Sequence, residues 1–232
     1  MIAIIGAMDE EIRLLLDKAT INKVNQHAVY TFYEGDLHGK DVVIVKCGVG
    51  KAASAALVSA LLNLYKVDLV INIGCAGGLD KRLNPCDIVL GAKLAYHDAD
   101  LTPVGNYEYG QMSGCPLFFE SDKEMMKKFE KCSKVIDAQI YEGTILSGDI
   151  FVADTSIYDL VEKHFKGQNV MAAEMESTSI AQICYFYKVP FLIVRAISDL
   201  VGAESQRMMF NEFVQKSSDN AALLLEELFK NL

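Results

Sequence analysis

Three sets of acidic residues stand where apolar runs end. Glu10 and Glu11 follow the run Ile2 to Met8, Glu174-Met175-Glu176 follows Val170 to Ala173, and Asp199 follows Phe191 to Ile197, with Arg195 inside that last run. If the runs are strands of an open α/β sheet, ligands bind beyond their carboxyl ends, and the acidic groups can converge on one pocket. Taken singly, each also fits as a charge favoured by a helix amino terminus. Together, with glycine turns at the same edge and an arginine in an apolar strand, they read as a site. Carboxyl groups without a metal or an activated nucleophile suit acid and base work: one stays protonated to assist a leaving group, another ionises to polarise water. Cleavage of a glycosidic bond through an oxocarbenium-like transition state needs that combination. Spacing alone names neither the sugar nor the base.

Other chemistries fit less well. Gly48-Val49-Gly50-Lys51-Ala52-Ala53 matches the dinucleotide pattern G-x-G-x-x-A, but Asp68 stands before the next strand instead of at its carboxyl end, which argues against a nicotinamide or flavin. What survives is a glycine turn that lets a ligand approach the backbone, as at Gly74 to Gly78. His97-Asp98-Ala99-Asp100 offers metal-ligand types, yet no second cluster completes a shell, so it reads as a polar loop or interface segment. There is no G-x-S-x-G elbow for a serine nucleophile. The six cysteines contain no C-x-x-C pair and read as core thiols of a reducing compartment.

The elements that must position these groups alternate in the α/β manner. Strands are predicted at Ile2 to Ala7, Tyr30 to Asp36, Val42 to Cys47, Leu69 to Gly74, Asp87 to Tyr96, Thr144 to Ser147, Val170 to Ala173 and Phe191 to Ile197. Helices are predicted at Glu10 to Lys18, Lys51 to Tyr65, Asp122 to Lys131, Ser156 to Phe165, Ser177 to Tyr187 and Phe210 to Asn231. One antiparallel hairpin, around Leu37 to Asp41, is expected in a sheet otherwise built from crossovers. The expected architecture is α/β: a single three-layer domain over 1–232, with a central mixed twisted sheet flanked by helices. With 22 basic and 31 acidic residues the net charge is −9, and no Lys/Arg run offers a surface for nucleic acid or anionic membrane. No window approaches 18 apolar residues, and no basic region precedes the apolar amino terminus, so a soluble cytoplasmic protein is expected.

Seven motifs, in order, carry a resemblance along essentially all of the chain: Ile4-Ile5-Gly6-Ala7-Met8-Asp9-Glu10-Glu11, Gly48-Val49-Gly50-Lys51, Asn72-Ile73-Gly74-Cys75-Ala76-Gly77-Gly78, Tyr96-His97-Asp98-Ala99-Asp100, Ser147-Gly148-Asp149, Glu174-Met175-Glu176 and Arg195-Ala196-Ile197-Ser198-Asp199. The sequence resembles the purine nucleoside phosphorylase family, on its hydrolytic branch. The resemblance implies a nucleoside phosphorylase-like fold and hydrolysis of the N-glycosidic bond of 5′-methylthioadenosine, S-adenosylhomocysteine and also 5′-deoxyadenosine, without cofactor or metal. It implies Asp199 as the acid toward N7 of adenine and Glu11 as the base for water, with Arg195 helping to hold that water. Glu176 would bond the ribose hydroxyls in ionised form, Met175 would pack on the ribose, and Val49 on the 5′-substituent. Adenine would lie between Ala76-Gly77 and Phe151, its edge read by backbone near Val152, with Phe210 completing the substrate site. A homodimer is implied, residues 97–115 reaching toward the neighbour's 5′-pocket. The sequence departs from the family pattern at Pro103-Val104, where an aromatic is usual, at Gly105-Asn106, and over Gly202 to Met209, which leaves the 5′-group preference open; Cys75 replaces a serine. A 6-amino-6-deoxyfutalosine nucleosidase and a phosphate-dependent phosphorylase are the neighbouring activities, and a non-catalytic nucleoside binder is the reading from another class.

Overall fold

A computed structural model describes residues 1–232. In chain order the elements are β1 (Ile2–Gly6), α1 (Asp9–Lys18), β2 (Thr20–His27), β3 (Tyr30–Leu37), β4 (Lys40–Lys46), α2 (Lys51–Leu64), β5 (Leu69–Gly78), β6 (Ile88–Tyr96), β7 (Phe119–Glu120), α3 (Lys123–Glu130), β8 (Ile140–Ser147), α4 (Ser156–His164), β9 (Val170–Glu174), α5 (Ser177–Tyr187), β10 (Phe191–Leu200) and α6 (Gln206–Lys230). The ten strands form one mixed sheet in the order β10-β6-β8-β9-β5-β1-β4-β3-β2, with β7 on β6, flanked by the six helices. Neighbouring residues point to opposite faces, and both faces are covered. Ile5, Val45 and Ile193 pack with Leu57, Leu61 and Ile180 of α2 and α5, while Ile4, Ile44 and Val194 pack with Ile12, Leu15, Phe129 and Leu225 of α1, α3 and α6. Burial on both faces explains why these strands read as continuous apolar runs.

The predicted hairpin forms between β3 and β4 with a two-residue turn at His38-Gly39, both at positive φ, as the right-handed strand twist favours. The expectation of a single antiparallel pair is corrected: β2–β3, β3–β4, β5–β9, β6–β7 and β6–β10 all run antiparallel. Strand β2, Thr-Ile-Asn-Lys-Val-Asn-Gln-His, was not predicted because it is a polar edge strand that covers no core.

The sheet also closes on itself, because β5 pairs with β10 as well as with β1 and β9. Two parallel groups result: β1, β4, β5 and β10 run one way, and β6, β8 and β9 run the other. They meet carboxyl end to carboxyl end where Gly77 and Gly78 pair with Ala173 and Ala172. That junction brings strand ends from both groups to one place.

Candidate active site

At the junction lies a cavity of about 250 Å³ lined by Ala7, Met8 and Glu11, Val49, Cys75 to Gly77, Ile150 to Val152, Ala173 to Glu176, Ser198, Asp199 and Phe210. Of the residues to which the resemblance gives a catalytic or substrate-binding role, all line it except one, and Glu10 does not line it either. Arg195 is fully buried and does not line the cavity; it lies behind Glu174 and close to Glu11.

Glu11 sits in the first turn of α1 and turns back toward its start. Its Oε2 accepts from the backbone N–H of Ala7 at 2.5 Å and Met8 at 3.2 Å, and its Oε1 accepts from the N–H of Cys75 at 2.9 Å. Gly74 leaves room for it, since a Cβ there would stand 2.7 Å from Oε1. Burial raises the Glu11 pKa, against the lowering effect of Arg195 and these three N–H groups. A carboxyl raised in this way is a better proton acceptor once ionised.

Glu174 ends β9 at the amino terminus of α5, where it accepts from the N–H of Ser177 at 2.9 Å and that of Glu176 at 3.1 Å, and from Ser147 Oγ. Arg195 Nη2 pairs with it at 2.7 Å and with Asn72 Oδ1 at 2.5 Å. Burial alone would raise Glu174; Arg195 and the hydrogen bonds outweigh it and hold the carboxyl below its ordinary value. Glu11 and Glu174 each stand at a helix amino terminus and also line the cavity, so the two readings of the sequence do not exclude one another.

Glu176 accepts from the N–H of Gly50 at 2.8 Å, a residue at φ +98° that only glycine adopts without strain. The glycine pattern thus serves a carboxyl group of the site. Burial and the charge of Glu174 push Glu176 up to about 8, which favours its protonated form near neutrality. The resemblance implies an ionised Glu176; the cation Arg195, which would favour that form, is paired with Glu174 instead.

Asp199 is placed by a β-bulge. Strand β10 follows β5 in parallel register to Ile197 opposite Ala76, then slips so that Asp199 faces Gly77, and a bulge re-aims the side chains beside it. Ser198 Oγ donates to Asp199 Oδ1 at 2.6 Å and Gln206 Nε2 donates to Oδ2 at 2.7 Å. Burial raises the Asp199 pKa over the lowering effect of both donors, which suits an acid. The wall beside Asp199 is apolar: Phe151 meets Phe210 edge to face at 5.8 Å.

Ser198 and Gln206 were not among the expected site residues, and Glu174 was expected at the site but without a role of its own. Glu174 and Ser198 stand inside the motifs and are separated from their neighbours only by geometry. Gln206 precedes the apolar stripe that marks α6, which begins four residues before the predicted Phe210, so periodicity gives no signal for it. The Cys75 side chain faces α6, its Sγ 3.4 Å from Ser218 Oγ, and its backbone N–H serves Glu11. In the His97 segment, Asp98 pairs with Lys51 at 2.6 Å and Asp100 accepts from Thr102, and no three potential metal ligands converge.

Strand ends meeting around acidic residues and a closed mixed sheet define a nucleoside phosphorylase-like α/β protein. A model of the phosphorylase superfamily matches residues 1–230, and the chain belongs to that family. It is similar to the 5′-methylthioadenosine/S-adenosylhomocysteine nucleosidase of Psychromonas ingrahamii, 40% identical over 232 residues that cover 100% of this chain and 99% of that protein. Among solved structures it resembles the 5′-methylthioadenosine/S-adenosylhomocysteine nucleosidase of Neisseria meningitidis in complex with methylthio-immucillin-A, at TM-score 0.93 and 36% identity over 100% of this chain and 99% of that one. It also resembles the futalosine hydrolase of Helicobacter pylori, at TM-score 0.91 and 28% identity over 100% of this chain and 97% of that one.

Proposed function

We propose that the protein is an N-glycosyl hydrolase releasing adenine from 5′-methylthioadenosine and S-adenosylhomocysteine. The observation that carries this reading is the presence, in one cavity, of an acid raised by burial, Asp199, and a backbone-held carboxylate, Glu11. Asp199 gives its proton to N7 as the C1′–N9 bond breaks, so the electron pair leaves on a neutral purine instead of an anion. Glu11 takes a proton from the water whose oxygen forms the new bond to C1′. Glu176 faces the ribose hydroxyls, and positive charge developing on the sugar favours its ionised form in the transition state. Met175 packs on the ribose and Val49 on the 5′-substituent. Ala76-Gly77 and Phe151 enclose the base, with Phe210 beside Phe151. Arg195 acts through Glu174 and the neighbouring Glu11, not by touching the water.

The site test is adenine release from methylthioadenosine in phosphate-free buffer with a chelator. Asp199→Asn and Glu11→Gln are each expected to lower kcat/KM by about 10²- to 10⁴-fold; near-normal turnover in either refutes the assignment. Dependence on added phosphate would make the protein a phosphorylase. The likeness to a futalosine hydrolase and the exposed mouth at Val49, Ile150 and Phe151 make 6-amino-6-deoxyfutalosine the second substrate to assay. The same exposed mouth, with Val104 75% exposed, suits a homodimer in which residues 97–115 approach the neighbour's site; light scattering that gives a monomer mass would refute it. No helix is long and apolar enough to cross a membrane.

A further inference from the structure

Gln206 opens α6 and is buried. Its Nε2 donates to Asp199 Oδ2 at 2.7 Å and to the carbonyl oxygen of Val152 at 2.8 Å, while its Oε1 accepts from the N–H of Gly202 at 3.1 Å. Two acceptors on one side and a donor on the other fix which end of the amide is which. One –NH2 group therefore spans the acid and the carbonyl that face the base edge in the reading above. An adenine protonated at N7 offers the same pair of donors, N7–H to the acid and a 6-amino hydrogen to the carbonyl.

We infer that Gln206 is a positioning residue that occupies the base-edge acceptors until the purine displaces it. This rests on the assignment of Asp199 as the acid toward N7. With the base absent, Gln206 keeps Asp199 and the Val152 segment at the separation the purine needs and leaves neither buried acceptor unpaired. Its N–H also favours the ionised carboxylate, so displacement leaves Asp199 with the Ser198 donor alone and better able to hold the proton that N7 receives. The other titratable groups facing this cavity are Glu11 from α1 and Glu174 and Glu176 at the end of β9; Cys75 of β5 lines it but turns its thiol, which burial keeps neutral, toward α6, and no Lys, Arg or His lines it.

The experiment is adenine binding by calorimetry to the wild-type protein and to Gln206→Met, with the pH profile of kcat/KM. The variant no longer competes with the base, so its adenine Kd falls about tenfold, and the basic limb of kcat/KM, which reports the acid in the free enzyme, moves to higher pH. An unchanged or weaker Kd in a variant that melts like wild type overturns the proposal. If Gln206→Met does not fold, a crystal structure of the wild-type protein with adenine decides: Gln206 Nε2 must have left both acceptors, and retention of both bonds overturns the proposal. An active Asp199→Asn removes the assignment beneath it whatever Gln206→Met does. An inactive Asp199→Asn with unchanged adenine affinity in Gln206→Met removes only the inference about Gln206.

Discussion

The two sides of the cavity are built differently. Toward Glu11, Glu174 and Arg195 every charged group is buried and tied to backbone N–H groups or to another charge on β5, β9, β10 or the first turns of α1 and α5. Toward Asp199 the acid hangs on two neutral donors, Ser198 and Gln206, and the wall is made by a loop residue, Phe151, 52% exposed, and by the first turns of α6. In the proposed reaction the first side fixes a water and a sugar while charge develops, and preorganised groups in a dry site do this without reorganising. The second then admits and releases a flat base. Placing the acid beside groups that few bonds hold allows that passage, at the expense of a less constrained wall.

The contrast is sharpest in stability. Arg195→Met strands Glu174 and leaves Glu11 without its cation, and is expected to cost about 3–5 kcal/mol in urea unfolding. Asp199→Asn, which removes a group held by neutral partners, is expected to stay within about 1 kcal/mol of wild type. Equal losses would break the comparison.

A pH series sharpens it further. Folded Glu176 keeps its proton up to about 8, whereas in the unfolded chain it releases it near the ordinary 4.5. Between these values the folded state binds more protons, so stability falls as pH rises, with a slope from this group approaching about 1.4 kcal/mol per pH unit. Glu174 has the opposite sign: held below its ordinary value, it stabilises the fold above the unfolded pKa, and that contribution is lost as pH falls through the folded one. Unfolding of Glu176→Gln in urea at mildly acidic and mildly basic pH should show a flatter decline than wild type; an unchanged slope would mean the proton is not held there.

The smallest effect belongs to the base side. Phe151→Ala removes the ring that encloses the base in the proposed reaction and should weaken adenine binding by about 0.5–1.5 kcal/mol, while loss of its edge-to-face contact with Phe210 lowers stability by no more than about 1.5 kcal/mol. A loss of stability comparable to that of Arg195→Met would make this wall as rigid as the other.

Much of this was legible in the sequence. The six helices appear where apolar spacing put them, because one face of each must be buried. The buried strands were legible as unbroken apolar runs, whereas β2 was not, since an edge strand carries no such run. The acidic residues at run ends named the site for a related reason: a charge directly after a buried strand has to reach water, a helix terminus or a ligand.

Residue types and order settled the layered α/β class, the acidic groups and the family, because these depend on local periodicity and on motifs contiguous in the chain. Tertiary structure alone decided that β5 closes the sheet onto β10 so that two opposed strand groups meet end to end, that a bulge after Ile197 turns Asp199 toward the cavity, and that Arg195 pairs with Glu174 while burial favours the protonated form of Glu176. Register, closure and the partner of a buried charge depend on residues far apart in sequence, and a carboxyl group's protonation follows from the neighbours that folding gives it.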